Sequence, residues 1–400
     1  MTPDITATPD ALASADTDHL ALAFVSDEGT AAAVRKCFID LSLVAAQVER
    51  GSVDAAVAML GRVHSPKLLV VDISKLDAPL IKLRRLAEVC DPSTSVLVIG
   101  EHNDVVLHRG LKELGVAEYF FKPIMPELLE RACRTAIGGP RNTVSPHAGK
   151  LIAVFGVRGG VGCSTIAVNT AWYLAEALKR HVALLDLDLQ GGDAALQLDV
   201  EPSHALREAL EHPERVDDLL LARAVTTVTE RLAVLASLES INDPFVPAED
   251  AVLGLLGRLQ ARHRYVFVDV PHNFGARLHK VLDQASMLIL VCDPTLVSAR
   301  EMTRWRELFK STGPDHTVWQ ILNKAGAPGV LPEADFARAL GEAPHVVVRF
   351  DPEIVKAANL GHPALPQCRS LLHGLAPLFK SLAGEAERER PPLLARLFRP

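Results

Sequence analysis

From Leu20 onward the chain alternates short apolar runs with stretches of helical periodicity. The runs LALAFVS, LSLVAAQV, KLLVVD, SVLVIG and AEYFF read as strands, and helices are expected near residues 29–39, 52–60, 78–89, 104–114 and 126–136. Strands taking turns with helices in this way predict a doubly wound parallel sheet over residues 19–138. The segment GGPRNTVSPHAG then breaks the pattern with Gly, Pro and polar residues, so a linker is expected over 139–149. A second alternating series follows: LIAVFG, HVALLDLD, RLAVLAS, YVFVDV, SMLILVCD, TVWQILNK and HVVVRF. It predicts a larger α/β domain over 150–384, again doubly wound, before a tail over 385–400. Residues 1–18, rich in Thr, Ala, Asp and Pro, have little to bury and are expected to be disordered.

Length supports the division: 400 residues exceed one typical core. A net charge of −7 gives no chain-wide basic field for gripping nucleic acid. The six cysteines have no CxxC pairing or zinc-site spacing, and a reducing cytoplasm suits them. The N-terminal stretch lacks the basic start and apolar core of a signal peptide, and no apolar run approaches a bilayer span. A soluble cytoplasmic protein without a nucleic-acid ligand is the expectation.

The chemistry concentrates in VFGVRGGVGCST. A glycine-rich turn between a buried strand and a helix lets backbone N–H groups close around phosphate oxygens, with the positive end of the helix dipole behind them. Gly159, Gly160 and Gly162 supply the turn, Ser164 stands where a hydroxyl would ligate Mg²⁺, and Thr165 adds a donor. The lysine usual between Gly162 and Ser164 is replaced by Cys163. Losing that charge-assisted hydrogen bond weakens ATP binding by roughly 1.5 to 3 kcal/mol without abolishing it. Further acids arrive at strand ends in the order a nucleotide site needs: Asp186 and Asp188 in LLDLDLQGGD, and Asp269 in FVDVP, suited to a magnesium shell. Asn323 and Lys324 follow in ILNK, where an amide can read a base.

Taken together, RGGVGCST, LLDLDLQGGD, FVDVP, LNK and RFDPEIVKAANLGHP resemble the deviant Walker A ATPases of the ParA and MinD group. A receiver-like domain in front of such a domain resembles the TadZ/CpaE family, which localises and helps assemble the Tad (Flp) pilus. The resemblance implies a flavodoxin-like first domain and a P-loop NTPase second domain. It implies that Gly159, Gly160, Val161, Gly162, Cys163, Ser164 and Thr165 cradle ATP, with Ser164, Asp186 and Asp269 on Mg²⁺. Asp188 would position the attacking water, and Arg158 would take the place of the signature lysine that reaches a partner's phosphate across a homodimer. Asn323 would face adenine, and Asp351 with Pro352 would close over the base. Arginine keeps the charge at 158 but not the reach of lysine. With Cys163 in the loop, slow or absent hydrolysis is expected, ATP serving mainly to hold the dimer.

In the first domain Asp72 ends KLLVVD at the phospho-acceptor position of a receiver, and Lys122 in FFKP fits its lysine. Asp27 has Ser26 beside it where two acids are usual, and Gly100 replaces the switch hydroxyl. A docking and dimerisation domain is therefore expected rather than a phosphoswitch. In the tail, PPLLARLFRP groups Leu and Phe with arginines, which suits a membrane surface or a pilus-machinery partner. Two other functions fit parts of the sequence: a non-catalytic docking scaffold, and a DNA-partitioning ATPase, against which the acidic balance argues.

Overall fold

The computed structural model describes residues 20–43, 45–61, 63, 65–102, 104–138, 148–274, 277–312 and 317–383. It divides into two units, Met1–Pro146 and His147–Pro400. The proposed N-terminal disorder, most of the linker and the C-terminal tail lie outside the described residues.

In the first unit, strands β1 (Ala21–Val25), β2 (Ala46–Arg50), β3 (Leu68–Asp72), β4 (Ser95–Gly100) and β5 (Glu118–Phe121) alternate with helices α1 (Glu28–Asp40), α2 (Val53–Leu60), α3 (Pro79–Val89), α4 (Val105–Glu113) and α5 (Pro126–Gly138). The strands pair in parallel in the order β2-β1-β3-β4-β5. Because strand side chains alternate in direction, Leu22 and Phe24 pack with α2, α3 and α4 on one face. Ala21, Ala23 and Val25 pack with α1 and α5 on the other. Both faces are buried, which is why the strands read as continuous apolar runs. The run LSLVAAQV misplaces its strand: β2 begins only at Ala46, and Leu41 and Leu43 pack against the core in the turn after α1. As an edge strand, β2 is only half-buried and carries a weaker apolar signal.

The second unit contains β6 (Lys150–Gly156), α6 (Cys163–Glu176), β7 (Val182–Asp186), α7 (Ala205–Glu211), α8 (Asp218–Ala224), β8 (Thr226–Thr229), β9 (Leu232–Leu235), α9 (Glu249–Gln260), β10 (Tyr265–Val270), α10 (His279–Gln284), β11 (Met287–Cys292), α11 (Leu296–Thr312), β12 (Thr317–Ala325), α12 (Glu333–Leu340), β13 (Val346–Arg349), α13 (Pro352–Asn359) and α14 (Arg369–Ala383). Its sheet runs β13-β12-β11-β6-β10-β7-β9-β8. All pairings are parallel except β8 with β9, so an antiparallel edge strand joins the expected parallel set. The sequence TTVT hid it, since no apolar run marks this partly buried edge strand.

In central β6, Leu151, Ala153 and Phe155 face one helical layer and Ile152 and Val154 the other. It lies between β10 and β11. Ligands of open α/β sheets bind beyond the carboxyl ends of such strands. Gly156, Asp186, Val270 and Cys292 all end strands of this sheet.

Candidate nucleotide site

The loop from β6 to α6 turns through two left-handed glycines, Gly160 (φ 77°) and Gly162 (φ 91°). Gly162 caps α6, and Ile166 N donates to Gly162 O at 3.1 Å in the first turn of the helix. The N–H groups ahead of Ile166 therefore have no partner within the helix. They adjoin an open cavity of about 240 Å³ lined by residues 158–165 together with Asp186, Asp188, Asp269, Pro271 and His272. The structure thus brings Arg158, Gly159, Gly160, Val161, Gly162, Cys163, Ser164, Thr165, Asp186, Asp188 and Asp269 to one place, as their spacing on strand ends leads one to expect.

Asp186 and Asp269 are partners across the β7–β10 ladder and both are buried. Burial raises the Asp269 carboxyl to about 6. Burial, and then the charge of Asp269, pushes Asp186 well up. Two buried carboxyls paired across the ladder resist carrying two charges together, a repulsion that a cation between them would relieve. The Ser164 hydroxyl bonds Asp269 and completes an all-oxygen set that fits Mg²⁺. Gly192 sits so close that a Cβ there would meet the Asp186 carboxylate. Asp188 accepts from Gly191 N at 2.9 Å, closing the turn beyond β7.

Cys163 does not reach outward as a lysine would. Its thiol donates to Asp269 Oδ1 at 3.0 Å, and burial together with the charge of Asp269 pushes the thiol far up, so it is a neutral donor. Arg158 is held by Asp293: Nε donates to Asp293 Oδ1 at 3.2 Å and to Ser298 Oγ at 3.1 Å, and Nη2 pairs with Asp293 Oδ2. Burial raises the Asp293 carboxyl, but bonds from Ser298 and Arg158 outweigh it and hold the group below the usual carboxylate range. Asp293 and Ser298 escaped the sequence reading, although SMLILVCD delivers Asp293 to a strand end as plainly as the acids that were singled out.

Other expected contacts differ. Asn323 is buried under the loop: Nδ2 donates to Val161 O at 2.8 Å and Oδ1 accepts from Lys324 N at 2.9 Å. Its amide therefore supports the loop instead of standing open to a base. Asp351 caps α13, accepting from Glu353 N at 3.0 Å and from the Ser370 hydroxyl at 2.6 Å. Pro352 lines a separate apolar groove with Phe350, Val355 and Leu360, so neither residue joins the cavity. Helix capping and the Asp351–Ser370 bond engage both carboxylate oxygens of the residue that the resemblance places over the base.

In the first unit, Asp72 is buried and fully engaged. Oδ2 accepts from Ser26 N at 3.0 Å, the Ser26 hydroxyl at 2.5 Å and Lys122 Nζ at 2.8 Å, while Oδ1 accepts from Ser74 N at 2.8 Å. Burial works upward, but these bonds outweigh it and hold Asp72 below the usual range. Lys122 Nζ also donates to Asp27 Oδ2 at 2.6 Å, and Asp27 caps α1 through Thr30 N at 2.8 Å. Asp27, Asp72 and Lys122 thus meet as a closed ion-paired cluster.

With this geometry in view, the relatives are informative. The ParA family model, described as NUBPL iron-transfer P-loop NTPase, matches residues 147–235. The septum site-determining protein MinD of Helicobacter pylori is 27% identical over 155 residues, covering 38% of this chain and 56% of that protein. The virulence plasmid ParA family protein pGP5-D of Chlamydia psittaci is 23% identical over 181 residues, 43% of this chain and 68% of that protein. The chain thus spans little more than half the length of the MinD relative. Among solved structures, a ParA family ATPase from Chlorobium tepidum superposes with a TM-score of 0.50 at 22% identity, covering 57% of this chain and 96% of that one. A pilus assembly protein CpaE from Caulobacter crescentus is 36% identical over 28% of this chain and 88% of its own, with a TM-score of 0.27. Sheet order and phosphate loop agree with these likenesses: the second unit has the parallel α/β fold of ParA/MinD-type P-loop NTPases. No described helix is long and apolar enough to cross a membrane.

Proposed function

We propose that the protein binds Mg²⁺-ATP in its second unit and acts as a ParA/MinD-like spatial regulator that localises and helps assemble the Tad (Flp) pilus machinery by nucleotide-dependent dimerisation. One observation carries the nucleotide part: the buried pair Asp186 and Asp269 faces a glycine loop that opens α6. Ser164, Asp186 and Asp269 would hold Mg²⁺, which when bound supplies positive charge to the phosphate oxygens. The loop amides would orient the phosphates, Asp188 would hold the attacking water, and Arg158, once released from Asp293, would reach the partner's nucleotide. The pilus assignment is supported by the fusion of a receiver-like unit to this domain, with the first unit and the tail as docking elements for pilus proteins or a membrane surface at the cell pole.

A second reading, a scaffold that binds nucleotide weakly or not at all, is favoured by Cys163 bonding Asp269 where an ammonium is usual. Calorimetry with Mg²⁺-ATP, coupled to light scattering for mass, separates the two. The proposal expects binding with a doubling of mass, and no Mg²⁺-dependent binding would overturn it in favour of the scaffold. A fluorescent fusion that stays diffuse in cells with intact pilus genes would remove the localisation role.

A further inference from the structure

We propose that Lys324 is a positioning residue that, with Asn323, holds the phosphate loop in its binding shape although the loop lacks its own lysine. Lys324 Nζ donates to Gly160 O at 2.6 Å, and Asn323 Nδ2 donates to Val161 O at 2.8 Å. Two consecutive side chains at one strand end therefore hold two consecutive loop carbonyls. In a trans peptide the C=O and the following N–H point in opposite directions. Drawing the carbonyls of Gly160 and Val161 toward β12 therefore turns the N–H groups of Val161 and Gly162 away from it.

The backbone at Lys324 supports this role. It adopts a left-handed conformation (φ 59°), unfavourable for a residue with a side chain, in the segment where β12 loses register with β13 between Leu322 and Ala325. Gly162 lies directly on Asn323, so that a Cβ at 162 would meet the Asn323 amide. Lysine at 163 would ordinarily add a cation from inside the loop, but here Cys163 is turned to Asp269. The ammonium of Lys324 supplies a charged donor from outside, and with three protons it keeps donors beyond the one on Gly160.

This inference rests on the nucleotide reading for its purpose but not for its geometry, so the test has two arms. Hydrogen exchange of peptides spanning residues 156–165 is measured on the nucleotide-free full chain, and Mg²⁺-ATP affinity is measured by calorimetry. Lys324→Met is expected to speed loop exchange and weaken Mg²⁺-ATP about tenfold. Lys324→Arg, which retains a charged donor, should restore most of both. In a Cys163→Lys background the affinity loss from Lys324→Met should shrink, because the loop regains an internal cation. Loop exchange unchanged in Lys324→Met, with the second unit still folded by thermal melting, overturns the inference. Should Lys324→Met unfold, Lys324→Gln removes the charge and shortens the reach to Gly160 O, and exchange equal to the parent's would overturn it equally. Faster exchange with no nucleotide binding by any variant, the parent included, upholds the brace and refutes the nucleotide reading instead.

Discussion

The Cys163 thiol donates to the Asp269 carboxylate at 3.0 Å, on the position from which a loop lysine would meet the phosphates. Burial and the charge of Asp269 keep that thiol protonated, so the loop side chain adds a dipole and no charge. Cys163→Lys is expected to tighten Mg²⁺-ATP binding by about tenfold or more, the worth of a charge-assisted hydrogen bond at roughly 1.5 to 3 kcal/mol. Calorimetry on parent and variant measures it, and equal affinities would show that position 163 does not face the phosphates.

Gly162 tests the shape of the loop. Its φ of 91° disfavours any side chain, and a Cβ would meet Asn323. Gly162→Ala should abolish measurable nucleotide binding while lowering the stability of the second unit by about 1 to 2 kcal/mol. Binding at parental strength, with the melting temperature unchanged, would mean that the loop accommodates the substitution and that its conformation does not set affinity.

Asp188 holds a turn as well as facing the cavity, because its Oδ1 accepts from Gly191 N. Asp188→Asn keeps an acceptor there, whereas Asp188→Ala also opens the turn. In the Cys163→Lys background, Asp188→Asn should lower phosphate release by about 10²-fold or more while ATP affinity stays within about twofold. Parallel loss of affinity and rate in Asp188→Asn would assign the residue to loop structure alone.

The first unit should respond to acid through its closed cluster. Asp72 and Asp27 sit below their unfolded values, so their contribution is present above an unfolded pKa of about 4 and lost as pH falls through the folded values. Lys122 sits above its unfolded value, so its contribution holds at neutrality and is lost only in strong alkali. Lys122→Ala leaves Asp72 buried without its cation and should destabilise this unit by about 3 kcal/mol at pH 7. The difference from parent should narrow as pH falls from about 4 toward the depressed folded values, followed by denaturant titration at each pH. A constant difference across that range would exclude the ion pair as its source.

Strand ends were legible in the sequence because a buried parallel strand is a continuous apolar run, and an acid that closes one stands out. LLDLD, FVDV and RGGVGCST placed Asp186, Asp188, Asp269 and the loop without any knowledge of packing. Two of the edges were less legible: β2 and β8 are only partly buried, so their residues carry little apolar signal.

What the sequence determined by itself was the alternation of elements, the sheet-end location of the phosphate loop and the absence of its lysine, all of which are local features of composition and spacing. What only the tertiary structure decided was how side chains far apart in sequence satisfy one another. Asn323 and Lys324 fasten the loop, Asp293 takes Arg158, Ser370 takes Asp351, and Lys122 closes over Asp72. Buried or half-buried polar groups must find partners on folding, and which partner each one finds depends on distances that no sequence spacing encodes.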